Sequence, residues 1–127
     1  QTSEEKEDVT EQSISSISIF KDLIIAEMIS NEFNSNEEIN KLIELNSEFK
    51  KLIDDIRNEN TKKEDYLNIS YTKDQYSEAV SRLYLHFANI KIDELIYEFE
   101  ESENKNFQLL QEVEDIKKKK EIYQNTI

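Results

Sequence analysis

The chain contains no glycine and no proline in its 127 residues. Glycine supplies the positive φ angles and the close backbone approaches on which phosphate-binding loops, dinucleotide-binding turns and nucleophile elbows depend. Glycine and proline are also the residues that most often end helices and build turns. The chain therefore lacks the motifs of three large enzyme classes, and it must make its turns from other residues.

The chain also contains no cysteine, so disulfides, thiolate metal sites and thiol nucleophiles are excluded. Ile, Leu, Val and Phe make up 36 of the 127 residues, well above the level of about 20% below which highly charged chains stay disordered. We therefore expect a folded domain. The longest unbroken apolar run covers residues 23–26, far short of the roughly 20 residues that cross a bilayer, so we expect no direct membrane insertion.

Apolar residues recur at steps of three and four along most of the chain, which is the spacing of one face of a helix. The first such stripe predicts a helix over about 13–33. A second stripe covers 39–56 and is preceded by a possible capping box formed by Ser35 and Glu38. The interruption between the two stripes holds several Asn and Ser residues, which favour helix ends.

A third stripe follows the possible capping box of Thr72 and Gln75 and continues to Phe99, which predicts a long helix. Polar residues at 100–106 then interrupt the stripe without any glycine or proline, so a turn, a bend and an unbroken helix all remain open. A fourth stripe covers residues 109–123. A further possible capping box, formed by Thr61 and Glu64, precedes an irregular connector at 66–72 that we expect to pack on the core.

No segment has the alternation of a paired strand, so the predicted fold is all-α. We expect a three- or four-helix antiparallel bundle over residues 13–127, with a long third helix. Residues 1–12 contain Val9 as their single strong hydrophobe. This composition predicts a polar, flexible lead-in or tether, because it buries too little apolar surface to offset the cost of ordering.

Asn46 falls where the second stripe predicts a hydrophobic residue. One interpretation is a buried Asn that fixes register or oligomeric state, as in coiled coils. The interpretation we favour is a small rotation of the helix that gives Leu45 the core position and leaves Asn46 at the boundary. The oligomeric state itself is not predicted by the sequence.

His86 is the single histidine, and it lies at the edge of the third stripe. A di-iron bundle site needs histidine from two helices, and a calcium loop needs a glycine at its sharp turn. The carboxylate pairs cannot be told from an ordinary solvated helix face. We therefore expect no metal, no cofactor and no catalytic residue.

The formal net charge is −13, from 29 acidic and 16 basic residues. A field of that sign repels nucleic acid and anionic lipid and can attract a basic protein. The first hypothesis is a non-catalytic protein–protein interaction module. Its expected setting is the helical head of a secreted or surface-anchored microbial protein that binds a host or partner protein, although a cytoplasmic location remains open.

Two features suggest that setting: the chain begins at Gln1 rather than Met, and the Glu-rich segment at 1–12 would suit a tether. In general character the chain is similar to the cysteine-poor helical surface lipoproteins of spirochaetes, which bind host proteins, but no motif carries the similarity and no residue role follows from it. One alternative is an acidic intracellular inhibitor that mimics nucleic acid and occupies a nucleic-acid-binding protein. Another is a small helical enzyme.

The predicted partner-binding residues lie within 61–76, a stretch that contains the connector between the second and third helices and its flanks. This stretch has no helical period that would bury all of its apolar side chains, and exposed aromatic residues within a polar rim dominate many protein interfaces. The alternative is that the connector closes the open end of the bundle and only caps the core. The candidate residues are Tyr66, Leu67, Ile69, Tyr71 and Tyr76.

Overall fold

The computed structural model describes residues 2–34, 36–58 and 60–125, and the side chains of 16–34, 36–58 and 63–125. Within these residues the fold is all-α, as predicted, with five α-helices, one 3₁₀ segment and no strand. The elements in chain order are α1 (Thr2–Ser30), α2 (Glu37–Leu45), α3 (Ser47–Asn58), the 3₁₀ segment (Asn60–Tyr66), α4 (Lys73–Glu101) and α5 (Phe107–Gln124).

The long third helix of the prediction is α4, and the other helices pack around it. The first half of α4 lies against α1, α2 and α3, where Phe87 meets Phe49 of α3 with ring centroids 5.4 Å apart. The second half of α4 packs against α5, which runs back antiparallel to it. The end of α5 reaches the first half of α4, where Tyr123 stacks on Tyr84 with ring centroids 4.1 Å apart. The stripe at 39–56 is buried as predicted, through Ile39, Leu42, Phe49, Ile53 and Ile56.

The first helix differs from the prediction at both ends. Its backbone is helical from Thr2, well before the predicted start. The segment 1–12 contains no glycine or proline, and its many glutamates favour a helix. The side chains of 2–15 lie outside the description, and a tether role for this segment stays a prediction. The helix ends at Ser30 rather than near residue 33.

Two non-glycine residues in the left-handed region end α1. Glu32 has φ 54° and Phe33 has φ 58°. Their backbone N–H groups donate to the carbonyls of Ile29 (3.0 Å) and Met28 (2.8 Å), the paired bonds of a Schellman motif. Without glycine in the chain, this conformation has to be adopted by residues that it strains.

The second predicted helix is two helices in the structure, because Asn46 interrupts it. The Asn46 backbone is extended, its N–H donates to the Leu42 carbonyl (3.2 Å), and its side-chain oxygen accepts from the Phe49 N–H (2.8 Å). Asn46 therefore ends α2 and caps α3. The placement expected by the favoured interpretation is found, because Leu45 packs on the core and Asn46 is half-buried. Both interpretations were wrong in assuming a continuous helix.

The caps are partly as predicted. Thr72 and Gln75 form the reciprocal capping box of α4 (3.1 and 2.8 Å). The capping box predicted from Ser35 is wrong in position, because Asn36 is the N-cap of α2. The Asn36 side-chain oxygen accepts from the backbone N–H groups of Glu38 and Ile39. Ser35 itself lies outside the described residues. Asn caps a helix as well as Ser does. The Thr61 side chain also lies outside the description.

The question left open at residues 100–106 is resolved as a turn. Ser102 ends α4, and its hydroxyl donates to the Phe99 carbonyl (2.9 Å). The Lys105 ammonium donates to the Glu100 carbonyl (2.7 Å), which suits the negative end of a helix. Asn106 then caps α5.

Replacing Asn46 with Leu is expected to lower the free energy of unfolding by about 1 kcal/mol, because the cap of α3 is lost. Urea denaturation measures the change, and Asn40→Leu in the exposed interior of α2 is the control. Leu is the better helix former, so the control should lose nothing. If Asn46→Leu stabilises the protein, Asn46 occupies an apolar seam position and the capping assignment is wrong.

Candidate partner-binding surface

Two backbone hydrogen bonds within the chain segment between α3 and α4 shape the connector. After the 3₁₀ segment, Leu67 donates to the Glu64 carbonyl and Ile69 to the Tyr66 carbonyl, both at 3.3 Å. The 3₁₀ segment packs against α1 and α3. The connector therefore passes beside α1 before it enters α4.

The Phe33 ring in the turn after α1 helps to fix this arrangement. The Arg57 guanidinium lies 5.2 Å and the Lys63 ammonium 5.3 Å from its centroid. These cation–π contacts join the turn to the end of α3 and to the 3₁₀ segment. The start of the connector is thus attached to two other elements.

Two aliphatic side chains of the connector, those of Leu67 and Ile69, contribute to its outer surface. Leu67 is 65% exposed, whereas Ile69 is half-buried. Ile69 lies in a groove of about 370 Å³ between α1, the connector and the first turns of α4, which we call the connector groove. Its lining residues are Ile19, Phe20, Asp22, Leu23, Ile69, Ser70, Gln75 and Glu78.

Tyr71 and Tyr76, by contrast, pack inward on the main core. Their ring centroids are 6.4 Å apart, and the Tyr71 hydroxyl donates to the Glu27 carboxylate of α1. The Tyr76 hydroxyl is buried and has no described hydrogen-bond partner within 3.5 Å, although the Asn36 side chain is near enough to act on it. Tyr71 therefore attaches the connector to α1, and Tyr76, in the first turns of α4, packs on the core beside it. This is the core-capping role that the sequence left open.

The pKa values of these tyrosines follow from their surroundings. Burial, and then the hydrogen bond to Glu27, raises the pKa of the Tyr71 hydroxyl to about 12. Burial, and then the charges of Glu27 and Glu38, raises the pKa of the Tyr76 hydroxyl to about 12 as well. Both hydroxyls therefore stay protonated at neutral pH, and both side chains pack as neutral groups.

Tyr66 lies at the boundary between these two roles. It is half-buried against the core, and burial together with the negative charges of Asp22 and Asp65 raises the pKa of its hydroxyl. Its surroundings therefore combine apolar packing with two nearby carboxylates, of which Asp22 also lines the groove.

The structure thus divides the five predicted site residues. Leu67 and Ile69 contribute to the surface, Tyr71 and Tyr76 pack inward, and Tyr66 lies between them. Sequence reasoning missed Ile19, which is 60% exposed and lines the connector groove from α1. The sequence contained one indication of this exposure, because Ile19 lies off the apolar stripe of the first helix.

His86 is half-buried, and its ring centroid lies 5.9 Å from that of Phe87. Burial, and then the charge of Lys21, lowers the pKa of its imidazole. Among the side chains that the structure describes, no three His, Cys, Asp or Glu residues are grouped closely enough to hold a metal ion. None of the described helices is both long and apolar enough to cross a membrane.

A second groove of about 510 Å³ lies where α2 and α3 meet beside the middle of α4. Its walls carry charges of both signs, including Glu44, Glu94, Lys50 and Lys91. Ile90 is its single large exposed apolar side chain, at 37%. This mixture gives the groove no preference for one charge or for an apolar ligand, so the connector groove is the better candidate.

Comparisons of the chain with protein-family models, with curated protein sequences and with solved structures found no match. Its function must therefore be inferred from its own residues.

Proposed function

We propose that the chain is a non-catalytic protein-binding module whose partner docks on the connector groove and on Leu67 beside it. The observation that supports this proposal is the exposure of large aliphatic side chains on two adjacent elements, Ile19 on α1 and Leu67 on the connector. Apolar side chains beside a groove with a polar rim are typical of interface centres.

A nucleic-acid mimic would present an uninterrupted acidic face in place of phosphates. Several described carboxylates instead face a basic side chain one turn away on the same helix. Asp54 lies near Lys50 (4.0 Å) and Arg57 (3.9 Å), and Glu78 pairs with Arg82 at 2.8 Å. This alternation weighs against mimicry and in favour of a protein partner.

The test of the proposal is site-specific photocrosslinking in cells of the source organism, with a benzophenone side chain at position 67. The matched control places the same group at position 122, because Ile122 of α5 and Leu67 are both 65% exposed. We expect a discrete protein adduct from position 67 alone. Identical adducts from both positions, or none from position 67, would contradict the proposal.

The crosslinked protein is then purified and its affinity for the full chain is measured by calorimetry. Leu67→Ala is expected to weaken binding tenfold or more, whereas Ile122→Ala should leave it unchanged. A tenfold loss corresponds to about 1.4 kcal/mol. Equal affinities for both variants would overturn the proposed docking surface even if an adduct had formed.

Leu67→Ala tests the docking surface more directly than a substitution of Tyr71 would. Tyr71 is bonded to α1 and packs on the core, so its removal is expected to lower stability as well as any affinity. Leu67 is largely in solvent, so its truncation should leave the fold intact. Thermal melting of each variant checks this difference.

The proposed setting, a secreted or surface-anchored protein, has its own test. Intact cells are treated with protease, and the chain is then quantified in each cell fraction. Loss of the chain from intact cells supports surface exposure, and full protection contradicts it.

A further inference from the structure

Two carboxylates lie near Tyr66 of the connector, and one of them lines the groove. Asp22 lines the groove from α1, and Asp65 lies at the end of the 3₁₀ segment. Both are close enough to the Tyr66 hydroxyl for their charges to act on it. Among the described side chains neither carboxylate has an ion pair or a hydrogen bond.

Several of the described basic side chains near the groove have partners of their own. Arg82 pairs with Glu78 at 2.8 Å, which neutralises the carboxylate on the α4 side of the groove. The cations of Arg57 and Lys63 lie over Phe33, and the Lys21 ammonium lies 5.8 Å from the Phe87 centroid. The described residues that line the groove include no basic side chain and two carboxylates, of which Glu78 is ion-paired and Asp22 is not.

Asp22 is the more informative of the two, because it lines the groove together with aliphatic side chains. Burial there raises the pKa of its carboxyl group, and the opposing effect of the neighbouring Lys21 is smaller. A cation brought into the groove would offset this partial desolvation. The charge and the apolar lining together favour a ligand with aliphatic side chains next to a basic one.

The backbone geometry limits the form of that ligand. The described residues contain no strand, so a bound peptide has no sheet edge on which to pair its own N–H and C=O groups. A helix satisfies those groups internally, and it presents apolar side chains at i, i+3 and i+4. A second copy of this chain would bring another charge of −13 against the same carboxylates, so an acidic self-partner is disfavoured.

Building on the proposed function, we infer that the occupant of the connector groove is a basic amphipathic helix of the partner protein. Its aliphatic side chains insert between Ile19 and Ile69, and a Lys or Arg lies against Asp22 and Asp65. Electrostatic attraction from the acidic surface would increase its association rate, and that increase would be lost as salt is added.

The test uses a synthetic, fluorescein-labelled amphipathic helix of about 20 residues, long enough to be helical in water, with a leucine face flanked by lysines. Its affinity for the full chain is measured by fluorescence anisotropy at low and at physiological salt. A twin peptide with glutamate in place of every lysine is the probe control. We expect the lysine peptide to bind at least tenfold more tightly than the glutamate peptide, by a margin that shrinks with salt.

The protein variants separate a specific site from general attraction. The double variant Asp22→Asn with Asp65→Asn is expected to weaken binding of the lysine peptide at least fivefold and to reduce its salt dependence. The charge-matched control, Asp93→Asn with Glu112→Gln, changes two exposed acids away from the groove and should weaken binding less than twofold. Ile19→Ser is expected to weaken binding about tenfold.

Chemical-shift mapping with the labelled chain locates the bound peptide directly. We expect the largest shifts at residues 19–23 and 67–70. Equal losses in the two charge variants, equal binding of both peptides, or a footprint elsewhere would each overturn the inference.

The photocrosslinked partner distinguishes failure of this inference from failure of the proposed function. If its affinity depends on Leu67 but not on Asp22 and Asp65, the protein-binding function stands and the basic helix is wrong. If its affinity depends on neither Leu67 nor Ile19, the docking surface itself is wrong.

Discussion

Replacing Phe87 with Ala is expected to lower the free energy of unfolding by about 4 kcal/mol. Its side chain is 1% exposed, and its ring packs 5.4 Å from that of Phe49, so it joins α4 to α3 at the centre of the main core. Truncating a buried phenylalanine removes its transfer free energy and leaves a cavity that the surrounding helices only partly fill. Because small domains are stable by about 5–15 kcal/mol, the loss would be readily seen in urea denaturation.

Phe107→Ala is the matched control for this prediction. Phe107 begins α5, is 70% exposed, and has one ring neighbour, Phe99, at 5.4 Å. Its truncation should cost less than about 1 kcal/mol, the scale of a partly solvated aromatic pair. A loss of less than about 1 kcal/mol at Phe87 would mean that α3 and α4 do not pack through this ring.

The helices and their buried faces were largely predictable because helical burial leaves a local period in the sequence. The stripe at 39–56 predicted the burial of Leu42 and Phe49 without any knowledge of what would cover them. The capping box of Thr72 and Gln75 was predictable for the same reason, since its hydrogen bonds join residues three apart. Local interactions of this kind are encoded within a few residues of each other.

The helix ends were less predictable where several residues could serve. Asn36 caps α2 although Ser35 had the better partner spacing with Glu38, and Asn46 divides a stripe whose period continues across it. In each case the deciding step is a competition between a side-chain and a backbone acceptor for the same N–H groups. Such competitions are decided by small differences in free energy, which the spacing of apolar residues does not record.

The composition of the groove depends on contacts between distant parts of the chain. Ile69 and Ile19 are fifty positions apart, and only the path of the connector along α1 brings them to one groove. The inward orientation of Tyr71 similarly depends on Glu27. The sequence therefore predicted a candidate segment, but it could not separate the side chains that face the solvent from those that cap the core.

The second large effect is expected at Val113, the one buried residue in the described part of α5. It is 3% exposed and packs on Ile92 and Leu95, in a small cluster separate from the main core. A carboxylate at this position would be buried without a partner, at a cost of several kcal/mol. In the Val113→Asp variant, we expect α5 to detach from the second half of α4, because detachment hydrates the charge.

Hydrogen exchange followed by mass spectrometry should show this as a local event. Amides at 107–124 are expected to exchange at least a hundredfold faster, equivalent to about 2.8 kcal/mol, while amides of α2 and α3 keep most of their protection. Ile122→Asp introduces the same group at a position that is 65% exposed in the same helix, and it should change exchange much less. Loss of protection throughout the chain would mean that α5 and the main core unfold as one cooperative unit. Separate loss at 107–124 would mean that the α4–α5 hairpin can open while the core and the connector groove stay folded.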